Sequence, residues 1–312
     1  MNSVSVPSFA KVNVDLRVLD KRPDSYHELR TIFQTISLSD RLQIQFEKRR
    51  RTELQLDSSV EIDDNLVIRA ATLVLERLRV SARIRFTLHK RIPMGAGLGG
   101  GSSNAASVLI ALPALAGKSI PQAELMELAE CLGSDVPFFL IGGTAVAFGR
   151  GTELYPLPDL PRHPALILAS GIHVSTPEAY RALGRGSGEL TSMPRSPILR
   201  EFQTVAWNLA GAALEALPLK NDFEEAVFRL HPELGAQKRK LRRLGAKPVL
   251  MTGSGSAIFG VFPSVLAARN AASSFPSGTA HTVRFVPRRQ FERAWRQSLG
   301  PAAASSCFEN RV

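Results

Sequence analysis

Apolar and polar residues alternate through the opening of the chain. Val12, Val14, Leu16 and Val18 recur at every second position, the spacing of one buried strand face. The polar run from Asp20 to Leu29 predicts a turn, and Leu29 to Leu38 and Asp40 to Arg50 both read as strands. The period then lengthens. Val67, Ala70, Ala71, Val74 and Leu78 share one face of a helix over Asn65 to Leu78, with Asp63 and Asp64 as candidate caps. Residues 82–90 alternate again, Ile84, Phe86 and Leu88 against Arg83, Arg85, Thr87 and His89. A strand with one wet face belongs to an antiparallel or mixed sheet.

Further on, Ala105, Val108, Leu109, Leu112 and Leu115 mark a helix capped by Ser102, Ser103 or Asn104, and a second helix spans Pro121 to Leu132, stopped by Gly133. Residues 144–157 read as a hairpin. The proline-rich run from Pro156 to Pro164 predicts a linker, dividing the chain into domains at 1–158 and 159–312. Beyond it lie a strand from Ala165, a helix opened at Thr176 with Pro177 in its first turn, a loop over 188–201, and helical runs around Trp207 to Leu217 and Glu233 to Leu244. Val249 to Phe262 reads as strand, glycine turn, strand, and the tail from Gly300 as frayed. The second half is α+β.

Composition narrows the class. The 312 residues, 44% hydrophobic, can bury a sizeable core, and no apolar stretch reaches membrane-spanning length. The two cysteines, Cys131 and Cys307, and six scattered histidines have no metal-ligand spacing, so no metal site made of protein ligands is expected. A reducing, cytoplasmic setting fits. The net charge of +11 calls for an acidic ligand or nucleic acid. The basic runs at Glu47 to Arg51 and Gln237 to Lys247 are not interleaved with aromatics, as a single-strand stacking platform would be, and read as solvated faces.

The densest signal is PMGAGLGGGSSNAA, Pro93 to Ala106. So many glycines imply positive φ angles or a partner pressed against the backbone. Followed directly by a helix, the loop presents bare N–H groups and the positive end of the helix dipole, a site for a nucleotide phosphate. Gly95, Gly97 and Gly100 also fit G-x-G-x-x-G, but the preceding strand alternates and Pro93 interrupts the turn, against a dinucleotide fold. A P-loop needs lysine before its Ser or Thr, and Ser102 and Ser103 follow no lysine.

Phosphoryl transfer needs positive charge near the moving group and a carboxylate near the acceptor hydroxyl. Lys11, set among alternating apolar residues, and Asp135, the acid of the apolar LGSDVPFFL, are the candidates. Local pattern alone equally allows an outward-facing strand lysine and a helix cap.

The glycine motif resembles that of the kinases acting on galactose, homoserine, mevalonate and phosphomevalonate. PSFAKVNVDLRVLDKRPDSYHEL, from Pro7, together with LGSDVPFF and MTGSGSAIFG, resembles the branch that phosphorylates a cytidine diphosphate sugar alcohol in the non-mevalonate isoprenoid route. The resemblance implies an α+β fold in two parts, a mixed ATP-binding N-terminal domain with a left-handed crossover and a ferredoxin-like C-terminal domain. It implies ATP and Mg2+, small-molecule partners only, and a monomer or homodimer.

Residue by residue, it implies that Asp135 takes the acceptor proton beside Lys11, while Asn13 holds substrate. Tyr26 stacks on the cytosine, His27 contacts its edge, and Thr176 and Tyr180 close over it, with Tyr180 on the opposite face. Asn65 lies near the adenosine. Pro93, Met94, Gly95, Ala96, Gly97, Leu98, Gly99, Gly100, Gly101, Ser102, Ser103 and Asn104 make the phosphate loop. Ser25 stands where the family usually has glycine, and Phe9 where it has proline. A nucleic-acid binder on the same N-terminal fold is the competing reading, and such a protein needs no acid at Asp135.

Overall fold

The computed structural model describes residues 2–24, 26–60, 65–184 and 195–300. In chain order the elements are β1 (Asn2–Lys21), β2 (His27–Lys48), β3 (Glu53–Ser58), α1 (Leu66–Leu78), β4 (Ala82–His89), α2 (Gly100–Leu115), α3 (Gln122–Leu132), α4 (Phe138–Ile141), β5 (Thr144–Gly149) and β6 (Glu153–Pro156). There follow β7 (Pro164–Leu168), α5 (Thr176–Leu183), α6 (Arg195–Asn208), α7 (Glu224–Leu230), α8 (Pro232–Arg243), β8 (Val249–Met251), β9 (Ile258–Val261), α9 (Val265–Ala272), β10 (Ala280–Arg284) and α10 (Arg288–Leu299).

β2 organises the first sheet. β1 pairs antiparallel along nearly all of it, while on its other edge β5 takes Leu29 to Gln34 and β4 takes Arg41 to Lys48. The alternation in β4 buries Ile84, Phe86 and Leu88 as expected, and β4 lies antiparallel to β2 but parallel to β3, a mixed sheet. The hairpin over residues 144–157 forms as β5 and β6. The second sheet runs β10-β7-β9-β8 and is antiparallel throughout.

Burial follows the pattern. Val67, Ala70, Ala71 and Val74 of α1 pack with Val108, Leu109 and Leu112 of α2 over one face of the first sheet. Ala10, Val12 and Val14 of β1 face the other way, into a core shared with Ile167 and Phe259 of the second sheet. β1 is therefore buried on both faces, and its polar residues need partners. The final helix α10 returns to the first core through Phe291 and Trp295.

Three expectations change. α2 begins at Gly100 with Gly99 as its cap, so Ser102, Ser103 and Asn104 lie inside the helix. Gly99 has φ +70, and its missing Cβ would press on the Phe139 ring. The helix placed at Trp207 to Leu217 lies earlier, as α6, because Phe202 and Val205 form its apolar face, continued by Leu209 just past its end, while Trp207 points outward, 78% exposed. The loop read over 188–201 is therefore helical from Arg195, and its earlier residues lie outside those described. Asn65 caps α1 by accepting from the Val67 N–H at 3.0 Å. Asp63, Asp64, Ser25 and the tail from residue 301 lie outside the described residues.

Candidate active site

Three sequence-distant motifs meet on β1. Its register slips between Phe9 and Ala10 and again between Asn13 and Asp15, two irregularities that bracket Lys11 and Asn13. Bulges of this kind re-aim side chains beside functional sites. The Lys11 N–H donates to Leu98 O at 3.0 Å, docking the glycine loop on the strand. From the other side the Thr252–Ala257 turn closes in. Ala257 N–H donates to Ala96 O at 3.1 Å, and a Cβ on Gly97 would lie 2.3 Å from Thr252 O. Only glycine fits there, at φ +76.

Lys11 is 3% exposed, and a buried ammonium must be compensated. It donates to Asn13 Oδ1 at 2.8 Å, faces Asp135 Oδ2 at 3.2 Å and lies 5.0 Å from the Phe33 ring centroid. Asn13 ties the same spot to the second sheet. Its Oδ1 accepts from Gly253 N–H at 2.9 Å and from Thr252 Oγ1 at 3.1 Å, and its Nδ2 donates to Thr31 Oγ1 at 2.8 Å. Asp135 follows α3, in the turn to α4, whose Phe138 and Phe139 are buried and anchor it.

These groups open on a cavity of about 750 Å3 that also takes in Tyr26, His27, Thr176, Tyr180, Gly97 and Ser254. Every catalytic and substrate candidate from the sequence thus lines one space. The aromatic arrangement is more specific than a free sandwich. Tyr180 stacks on His27, rings 4.7 Å apart at 21°, and the Arg150 guanidinium sits 3.7 Å from the Tyr26 centroid. Burial, with the Asp135 charge nearby, pushes the Tyr180 phenol up to about 12. Thr176 Oγ1 and Ser254 Oγ share a hydrogen bond at 2.9 Å, joining α5 to the Thr252 turn.

The glycine motif divides in two. Ala96 and Leu98 are buried packing residues, and Asn104 Nδ2 donates to Asp40 at 3.0 Å. The first helical bond runs from Ser103 N–H to Gly99 O, which leaves the amides of Gly100, Gly101 and Ser102 ahead of it at the helix's positive end. A Cβ on Gly101 would meet nothing nearer than Leu66 Cδ1 at 3.9 Å, so the space beside that glycine is open. Asn65, the cap of α1, has a buried Nδ2 with no hydrogen-bond partner among the described residues.

Asp40 went unnoticed in the sequence, where it is one acid in an alternating strand. Buried, it accepts from the Arg91 and Ile92 N–H groups at 2.7 and 2.9 Å and pairs with Lys90, whose Nζ also donates to Asn104 Oδ1 at 3.2 Å. It clamps the glycine loop at both ends. Arg150 and Thr252 were missed too. The closest signal was their placement beside the glycines of FGRG and MTGSG.

A helix end with free amides and a pair of buried lysine and half-open carboxylate, on a mixed sheet joined to an antiparallel one, fit the small-molecule kinases of the GHMP class. Residues 65–143 match the model of the GHMP kinases N-terminal domain, and residues 199–278 that of the GHMP kinases C-terminal domain. The chain belongs to the 4-diphosphocytidyl-2-C-methyl-D-erythritol kinase family. It is 49% identical over 96% of its length to that kinase from Solibacter usitatus, covering 94% of the relative, and 40% identical over 95% to the one from Thermus thermophilus, covering 97%. A crystal structure of 4-(cytidine 5'-diphospho)-2C-methyl-D-erythritol kinase superposes with a TM-score of 0.73 at 39% identity, over 90% of this chain and 98% of that one. Homoserine kinase from Cytophaga hutchinsonii shares the fold, TM-score 0.68 at 18% identity, over 92% and 95% of the two chains. Among the described residues no helix is long and apolar enough to cross a membrane.

Proposed function

We propose that this protein transfers the γ-phosphoryl group of ATP to the 2-hydroxyl of 4-diphosphocytidyl-2-C-methyl-D-erythritol, in the cytoplasmic non-mevalonate route to isoprenoid precursors. The observation that carries the reading is the Lys11–Asp135 pair, 3.2 Å apart where the glycine loop meets the cavity.

The acceptor hydroxyl lies against Asp135, the more open member of the pair, and its proton passes to a carboxylate oxygen as the hydroxyl oxygen attacks phosphorus and ADP departs. Lys11, held by Asn13 and Phe33, places its fixed charge beside the moving group. The amides of Gly100 to Ser102 and the α2 dipole hold the ATP phosphates. Asn65, with its unpartnered Nδ2, reaches the adenosine. Tyr26, His27, Thr176 and Tyr180 hold the cytidine end, where stacking contributes about 1–3 kcal/mol per base.

Mg2+ bound with ATP would neutralise phosphate charge beside the amides of Gly100 to Ser102 and Lys11. The division proposed at 158/159 is supported by the change of sheet between β6 and β7, with α10 as the segment that crosses back.

The test is ADP release from ATP and Mg2+ with this acceptor, in wild type, Asp135→Asn and Tyr26→Ala. Acceptor-dependent turnover that collapses in Asp135→Asn and needs far more acceptor in Tyr26→Ala supports the reaction and both roles. Turnover with a different small alcohol and none with this one overturns the substrate assignment.

A further inference from the structure

A second cavity, of about 360 Å3, opens on a different part of the molecule. Three arginines from three separate segments line it: Arg162 from the linker, Arg269 from α9 and Arg284 from β10. Ser37 of β2, Thr282 of β10 and Gln290 of α10 complete its polar wall, and among the described residues no carboxylate lines it. Arg17, Arg22, Arg30, Arg49, Arg77 and Arg83 each pair with Asp or Glu, while other described arginines do not. Arg162, Arg269 and Arg284 form no ion pair with any described residue. The three side chains are exposed, so water screens their mutual repulsion, and together they give the hollow a positive potential that favours an anion.

The cavity also spans the joint between the sheets. Arg284 N–H donates to Ser37 Oγ at 2.9 Å, and Phe285 bridges to Ile36 on the same strand of the first sheet. It shares no lining residue with the phosphoryl-transfer cavity. At roughly 30 Å3 per water, its volume has room for about a dozen waters, more than a diphosphate group needs. Guanidinium forks match phosphate oxygens in paired, charge-assisted hydrogen bonds, and the hydroxyl and amide groups supply neutral donors beside them.

We infer that this cavity is a second anion site that binds the diphosphate group of a small molecule through Arg162, Arg269 and Arg284. Binding there braces β2 against β10, outside the reacting centre.

The experiment is calorimetric titration of inorganic diphosphate into protein whose reaction site is already saturated with a non-hydrolysable ATP analogue and the diphosphocytidyl acceptor. The expected result is one further equivalent bound, weakened at least about tenfold in Arg269→Gln/Arg284→Gln through the lost charge-assisted bonds, with turnover at saturating substrates unchanged. Arg162→Gln, in the linker, gives an independent weakening if the double variant folds poorly. Competition with CDP separates the sources: displacement well below the diphosphate concentration identifies a nucleoside diphosphate as the ligand, and failure to displace identifies free diphosphate. No binding to the saturated wild type, or equal binding to wild type and variants, overturns the site.

Discussion

The Lys11 ammonium and the Asp135 carboxylate stand 3.2 Å apart with unequal exposure, 3% against 35%. The lysine is locked from behind by Asn13 and Phe33, while the acid keeps a side open to the cavity. One partner is thus a fixed charge and the other is free to receive a substrate hydroxyl. Asp135→Asn keeps the shape and removes the proton acceptor, so kcat should fall about 10²- to 10⁴-fold with a smaller change in KM. Steady-state kinetics with both substrates varied checks the split; an equal rise in KM with kcat intact would assign Asp135 to binding alone.

Asn13→Ala removes four partners at once: the Gly253 N–H loses its acceptor, Thr252 Oγ1 keeps only Gly97 O as acceptor, Lys11 Nζ keeps only Asp135, and Thr31 Oγ1 loses its donor. Each buried orphan costs about 1–3 kcal/mol. Urea unfolding should show a loss of at least about 2 kcal/mol, together with lower kcat, because the same oxygen orients Lys11.

Asp40→Ala leaves Lys90, whose side chain is 5% exposed, without its carboxylate. Breaking a buried pair from one side costs about 3–5 kcal/mol. It also frees the Arg91 and Ile92 amides that start the glycine loop, so KM for ATP should rise more than KM for the acceptor. Thermal melts and two-substrate kinetics read the two effects.

Gly97→Ala meets two obstacles. Positive φ costs a residue with a Cβ about 1–2 kcal/mol, and the added methyl would sit 2.3 Å from Thr252 O. The glycine loop and the Thr252 turn must separate, and ATP-dependent turnover should be largely lost even at temperatures where circular dichroism still reports a folded chain.

Tyr180 gives a pH prediction. Its phenol, ordinarily near 10, lies at about 12 in the fold through burial and the Asp135 charge. In the unfolded chain it ionises first, so the folded state binds the proton more tightly there. Its contribution to stability is complete below pH 10 and is lost as pH rises from 10 toward 12. Absorbance titration of the phenolate should show a late step that disappears in Tyr180→Phe, and the alkaline fall in melting temperature should be shallower in that variant.

Much of the fold was legible because it follows from local rules. Alternation in residues 82–90 requires one wet face, and β4 has one; the 3.6-residue spacing from Asn65 requires a helix, and α1 forms with Asn65 itself as cap. The helical run around Trp207 to Leu217 falls too late in the chain, because Phe202 and Val205 carry the buried face of α6 and Trp207 is exposed near its end. The hydroxyls after the glycines looked like caps, but a glycine at positive φ begins the helix instead.

By itself the sequence determined the elements, the phosphate-type loop and the residue types able to move a phosphoryl group, since period, glycine tolerance and helix polarity are properties of neighbouring residues. Only the tertiary structure decided whether Lys11 faces solvent or Asp135, that Asp40 clamps Lys90 and Asn104, that Tyr180 stacks on His27, and that three uncompensated arginines share one hollow. Charge pairing and burial depend on which distant segments the core brings together, and no local pattern carries that information.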